Sequence, residues 1–575
     1  MTWLIRYLKP VKGRMLTLLV LLLVTTALQL INPQIVQHFI DTASSHGAIT
    51  SLLWLAGLYL IIAVINQLAT VAVSYLGNDV AWRATNTLRE DLVRHTLRLD
   101  MRFHNLKSPG EMIERIDGDV TNMSNFFAMF IAEVIGSFVL LTGILVVMFF
   151  HNWLIATVMT VFTLASIAIM TWIRDLGVSA SQAERQASAQ LFGLIEERIA
   201  GIEDVQANGN VPYVINRFHR AMRTVFQTGR RAWMLRVIPW NATVTLYTLA
   251  VTVVLLLGVH LYLTGHTTLG TLYLFYQYTQ MLNDPIEQLG NQMQEFQKAK
   301  SGMRRSIELL SLKSSIVDGD SDGAGLPTGP LDVEFNHVDF SYNRDERVLH
   351  DIHFRLEPGT RLGIVGRTGS GKSSISRLLL RLYNVDSGMI RIGGVDVRTL
   401  SLEALYQRVG MVTQDVQLFD GSLRDNLTLF NRLVKDSEIL ETTERLGLRA
   451  FIDAMPQGLD THLSAGGTSL SAGEAQLFAL TRVFLTRPSL VILDEPSSRL
   501  DPATEATLQQ AVDELLKECT GIVIAHRLST LEKVDKIMVL RNGRILEFGD
   551  RAALAADETT HFARLLSTDR QEELA

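Results

Sequence analysis

Lysine and arginine are missing from three long stretches of this 575-residue chain: Met15 to Trp82, Ile116 to Ile173 and Val237 to Gln297. Each stretch has room for two apolar helices of about 20 residues, the length that crosses a bilayer's hydrocarbon core. Cysteine is almost absent, and Cys519 alone excludes an intrachain disulfide. It reads as a small apolar residue near a strand. There is no basic tail, and the net charge is −6, so nothing points to a nucleic-acid partner. No small-residue cleavage site leading to a soluble domain follows the basic N-terminus with its Arg6, Lys9, Lys12 and Arg14. That segment is expected to lie as a short amphipathic helix on the inner membrane surface and lead into a spanning helix.

What is present is an uneven chain. Its 47% hydrophobic residues crowd the first half, and its length calls for at least two domains. Six spans are expected, near residues 16–35, 52–76, 128–150, 153–173, 240–263 and 271–291. The intervals between the cation-free stretches are rich in arginine, as at Arg83, Arg89, Arg94, Arg98, Arg217, Arg220 and Arg223. The positive-inside rule puts both intervals and both termini in the cytoplasm. Both intervals keep a helical period, so the spans are expected to continue into the cytoplasm. They turn near Phe103 to Glu111 and Asn208 to Pro212.

Polar residues within the spans are candidates for lining a path, among them Gln29, Asn32, Gln37, His38, Asn66, Gln67 and Asn241. The sixth span holds the most: Gln277, Gln280, Asn283, Asp284, Gln288 and Asn291, around Pro285. For any one of them, hydrogen bonding between helices is the commoner role. Glu133, near the cytoplasmic end of the third span, is expected to snorkel to the interface.

Asp318 to Pro330 has the composition of a linker, and beyond it strand-like and helix-like segments alternate as in an α/β domain. The chain is therefore divided into residues 1–311, a membrane domain, residues 312–330, a linker, and residues 331–575, an ATPase domain. In the last, Gly366-Arg367-Thr368-Gly369-Ser370-Gly371-Lys372-Ser373-Ser374 follows the apolar run from Leu362 and opens onto a helix-like segment. This is the context in which G-x-x-x-x-G-K-[ST] holds a polyphosphate on backbone N–H groups. Lys372 reaches the β- and γ-phosphates, and Ser373 coordinates Mg²⁺.

Other motifs follow in order. Leu490 to Pro496 is an apolar strand ending in Asp494, suited to Mg²⁺, and Glu495, suited to general-base or water-orienting work. Ser471 and Gly473, in Leu470-Ser471-Ala472-Gly473-Glu474, offer a hydroxyl and backbone N–H groups. His526, at a strand end, can hold the γ-phosphate, and Gln414 can sense Mg²⁺ and attacking water. Tyr342 can stack on adenine. Each alone is a weak signal; the set in this order is specific.

On these motifs the second half resembles the nucleotide-binding domain of ABC transporters, and the whole chain resembles an exporter-type half-transporter. The resemblance implies an all-α six-helix transmembrane domain followed by an α/β P-loop ATPase domain, using ATP and Mg²⁺. It also implies a dimer that sandwiches two ATP molecules between one chain's phosphate loop and the other's signature, with the two cytoplasmic turns as coupling helices. The chain departs from the family's pattern in three places. The usual LSGGQ signature reads LSAGE, with Glu474 placing a carboxylate near a phosphate. Ala465 stands where exporters usually carry glutamate, and Arg499 replaces a small residue.

Intact Lys372, Asp494, Glu495, Gln414 and His526 beside an altered signature favour a heterodimer with a second half-transporter over a homodimer. The reading is ATP-driven export of an unidentified substrate from a bacterial plasma membrane. The alternatives are an importer on the same scaffold, as for some metal chelates, and a membrane-tethered regulatory ATPase.

Overall fold

The computed structural model describes residues 6–173, 177–343, 346–464, 470–494, 502–525 and 528–573. The chain folds as two compact units, one of Met1–Leu97 with Pro109–Leu312, the other of Arg98–Ser108 with Lys313–Ala575.

Among its described residues the first unit is built of helices, because the long apolar runs satisfy their backbone groups only internally. Among the described residues four helices are long and apolar enough to cross a membrane: Arg6–Ser44, Ile49–Leu97, Pro109–His151 and Val211–Leu263. A fifth apolar helix, Trp153–Ile173, occupies the expected fourth span. The expected sixth span is broken. It runs as Leu269–Met281 and Asn283–Ser311, meeting at Leu282 just before Pro285, where proline removes a backbone donor.

The first and sixth spans are stitched by polar side chains. Tyr278 Oη donates to the Leu30 carbonyl at 2.7 Å, and Gln37 Nε2 to Thr271 Oγ1 at 3.0 Å. Asp41 accepts from the Gly270 N–H at 2.8 Å and from Thr268 Oγ1 at 2.9 Å, capping the sixth span's first turn. Gln37 therefore works as an interhelical tie. At the other end, fully buried Asp119 receives both Nε and an Nη of Arg305, joining the helix Asp119–Met129 to Asn283–Ser311. Glu133 lies in a π-helical turn, Phe130–Ile135, and accepts a hydrogen bond from Gln292 Nε2 on the sixth span.

In the second unit alternating apolar residues give strands. They are β1 (Val333–Asn343), β2 (Glu346–Leu356), β3 (Arg361–Gly366), β4 (Ser387–Ile392), β5 (Val395–Asp396) and β6 (Val409–Val412). After them come β7 (Gly421–Ser422), β8 (His462–Leu463), β9 (Leu490–Asp494), β10 (Thr520–Ile524), β11 (Lys536–Arg541) and β12 (Arg544–Asp550). Among the described residues the main sheet runs β12-β11-β3-β10-β9-β6, parallel except at the β11–β12 edge. A second sheet, β2-β1-β4-β5, is antiparallel. Phe335, Phe340, Ile364, Ile375 and Ile522 fill the core between the sheets.

The linker-like segment is tied down on this unit. Arg381, itself buried, donates to the Val317 and Leu400 carbonyls at 2.6 and 3.0 Å, and Asp318 accepts from the Leu402 N–H at 2.8 Å. Glycine and proline composition alone concealed these contacts.

Candidate nucleotide-binding site

Strand register builds the site. Ile524 of β10 is level with Ile364 of β3 on one side and with Asp494 of β9 on the other. The loop from Gly366 and the Asp494 carboxylate thus emerge at the same edge of the sheet, the carboxyl ends of the strands where ligands bind in open α/β sheets. Val412 of β6 pairs with Leu493, which brings Gln414, two residues further, to that edge as well.

The loop needs its glycines for defined reasons. A Cβ on Gly366 would stand 2.4 Å from the Leu540 carbonyl oxygen. Gly371 has φ +105°, and its Cβ would lie 2.5 Å from Leu349 Cδ2. Gly371 caps the helix Lys372–Leu379, whose first N–H groups face the loop. Lys372 is buried, with Nζ donating to the Gly366 carbonyl at 2.7 Å and to that of Arg367 at 3.4 Å. The loop thus folds around its own ammonium, a centre of positive charge. Ser373, half-buried, occupies the second position of the helix.

Tyr342 stands beside this helix. Its hydroxyl lies 3.0 Å from Ser374 Oγ and accepts from an Nη of Arg377 at 3.0 Å, while the Arg377 guanidinium sits 5.7 Å from the ring centre. The ring meets Tyr383 edge-on at 5.0 Å. Tyr383 was not legible as a site residue. Its contacts come from far away in the chain: Asn105 Nδ2 donates to the Tyr383 hydroxyl at 2.6 Å, and Arg102 reaches the Ser341 carbonyl at 3.2 Å. Both belong to the turn between the second and third spans, where a helix, Met101–Leu106, is capped by Asp100. Asp100 also accepts from the Ser315 N–H and hydroxyl at 2.8 and 2.6 Å. Burial pushes the Tyr383 phenol above its ordinary pKa, so it stays protonated and able to donate.

The signature segment opens the helix Ala472–Thr486 with Ser471 as N-cap. Ser471 Oγ accepts from the Glu474 N–H at 3.3 Å, and Glu474 Oε2 accepts from the Ser471 N–H and hydroxyl at 2.7 and 2.9 Å. This is a capping box, and Glu474 is turned back onto Ser471. Gly473 is buried in the first turn of that helix. Gln476, one turn along, donates to the Gln414 carbonyl at 2.8 Å, joining the signature helix to the segment after β6. Glu495, His526, Ala465 and Arg499 lie outside the described residues.

Comparisons with known proteins agree with this architecture. Residues 15–286 match the family model described as the ABC transporter transmembrane region, and residues 349–498 match that described as ABC transporter. A fatty acid ABC transporter ATP-binding/permease protein of Mycobacterium bovis is 31% identical over 475 residues, covering 83% of this chain and 75% of the relative. An ATP-dependent lipid A-core flippase of Idiomarina loihiensis is 27% identical, covering 97% of this chain and 96% of its own. The structure of a bacterial Atm1-family ABC exporter with ATP bound superposes with a TM-score of 0.79 at 23% identity, covering 97% of this chain and 98% of that one. The chain belongs to the ABC transporters, with an exporter-type membrane domain and the ATP-binding, ATP-hydrolysing domain on one polypeptide.

Proposed function

We propose that this chain exports its substrate by alternating access as one half of a heterodimer, driven by ATP bound with Mg²⁺. The observation that carries the reading is the pairing of a phosphate-binding edge, formed by the Gly366 loop, Asp494 and the Gln414 segment, with a signature whose serine is held by a carboxylate. Gly366 to Ser374 bind the triphosphate, with Lys372 on the β- and γ-phosphates. Ser373, Asp494 and Gln414 hold Mg²⁺, Glu495 orients the attacking water, and His526 holds the γ-phosphate. Tyr342 stacks on adenine. Ser471 and Gly473 act across the dimer on the partner's nucleotide, and there Glu474 adds negative charge beside a polyphosphate, which weakens that site. The partner's signature completes the competent site built on this chain's phosphate loop.

The relatives named for a fatty acid and for lipid A core make a membrane amphiphile the class of substrate to test first. The arginine-rich intervals favour a bacterial inner membrane with both termini in the cytoplasm. ATP-dependent movement of a labelled amphiphile in inside-out vesicles tests the direction. Accumulation inside supports export; ATP-dependent depletion identifies an importer.

A further inference from the structure

Glu133 is a carboxylate within a stretch free of lysine and arginine, between residues 116 and 173, packed against a second such stretch between 237 and 297. Among the described residues it has no basic partner. Its bond is to Gln292 Nε2, on a side chain only 6% exposed. A glutamine at position 133 would make the same bond without a charge to desolvate, so a helix tie does not account for the acid. It also sits in a π-helical turn, a distortion that re-aims side chains and is frequent at functional sites.

The surroundings define what would neutralise it. About one turn away is Phe130, which packs against Phe126 with ring centres 5.0 Å apart; Phe126 in turn meets Phe296 at 5.5 Å, and Phe130 and Phe296 are each 37% exposed. A turn to the other side, Ser137 donates to Gln288 Oε1 at 2.7 Å, extending the polar seam between the third and sixth spans. From Glu133 to the turn at His151 is about 27 Å of helix rise, close to the full hydrocarbon thickness. Glu133 therefore lies at the edge of the leaflet opposite that turn, the depth at which an amphiphile carries its head group.

We propose that the seam of Glu133, Gln292 and the Phe126–Phe130–Phe296 cluster binds a lipophilic organic cation. The carboxylate is its counter-ion, and the aromatic faces hold its charge and apolar body. The proposal deepens the export reading by giving the amphiphile a charge, opposite to that of a fatty acid. Its test is made without ATP, so failure of the transport reading leaves it standing.

The test is equilibrium dialysis of tetraphenylphosphonium against the full chain in lipid nanodiscs, assembled with its partner half-transporter where it takes one. Wild type is expected to hold the cation more tightly than neutral triphenylphosphine oxide. Glu133→Gln should lose affinity by about ten-fold, whereas Glu133→Asp, which keeps the charge, stays within a few-fold of wild type. Phe130→Leu, which keeps apolar bulk and removes the π face, should weaken the cation alone, and it serves if Glu133→Gln fails to fold. Equal binding of tetraphenylphosphonium by wild type, Glu133→Gln and Phe130→Leu would overturn the proposal. So would a wild type that does not distinguish it from the neutral probe.

Discussion

Asn105, in the helix Met101–Leu106, donates to the hydroxyl of Tyr383, whose ring meets Tyr342 edge-on at 5.0 Å. Tyr342, proposed to stack on adenine, and the turn between the second and third spans are thus two contacts apart. Arg102 on the Ser341 carbonyl gives a second connection one residue from Tyr342. If the base orders Tyr342, that order is passed to Met101–Leu106. Hydrogen exchange should show ATP slowing exchange at residues 100–107, whereas inorganic tripolyphosphate should not. Tyr383→Phe removes a hydrogen bond of about 1 kcal/mol and should cut the protection several-fold. Equal protection by tripolyphosphate would break the link.

Glu474 is held by Ser471 in a capping box. Glu474→Ala removes one half of it and should lower stability by about 1 kcal/mol. Glu474→Gln can keep the box and removes the charge, so it should leave the melting temperature unchanged and raise ATP turnover of the assembled transporter. Unchanged turnover in Glu474→Gln would remove the carboxylate from the account of the weaker site.

Lys372 Nζ is gathered by the loop carbonyls at Gly366 and Arg367. Lys372→Ala takes away the charge that meets the triphosphate and should weaken ATP binding by about ten-fold or more, as read by equilibrium binding of a fluorescent ATP analogue. Affinity within two-fold of wild type would contradict that role.

Cys519 is buried, its Sγ donating to the Leu515 carbonyl at 3.1 Å, and burial pushes the thiol's pKa up to about 12. The thiolate is therefore scarce in the native state at any pH below that value, since raising the pKa favours the protonated form. Maleimide labelling of native protein at pH 7 should be slow and should become fast in denaturant. Rapid labelling in the native state would show the thiol to be accessible.

Much of this was legible in the sequence because its signals are local. The phosphate loop, the Asp494 strand and the Gln414 segment are short strings whose strand context could be read from the residues beside them. The cation-free stretches were also visible without a fold. What escaped depends on pairs distant in sequence. Asn105 and Tyr383 are 278 positions apart, and neither has a pattern that names the other. Glu133 was expected at the interface because a lone carboxylate in an apolar run commonly snorkels, and only packing supplied Gln292. Ser471 and Glu474 carry the S-x-x-E spacing of a capping box, a local signal that the phosphate-binding reading of the same five residues leaves unused.

The most direct measurement is ATP turnover of the purified chain in lipid, alone and co-purified with a half-transporter encoded beside it, each with its Glu495→Gln variant. Turnover that appears only with the partner, and falls about 10²- to 10⁴-fold in Glu495→Gln, is the expected result. Strong turnover by the chain alone, abolished by Glu495→Gln, would contradict the heterodimer and make LSAGE a working signature in a homodimer.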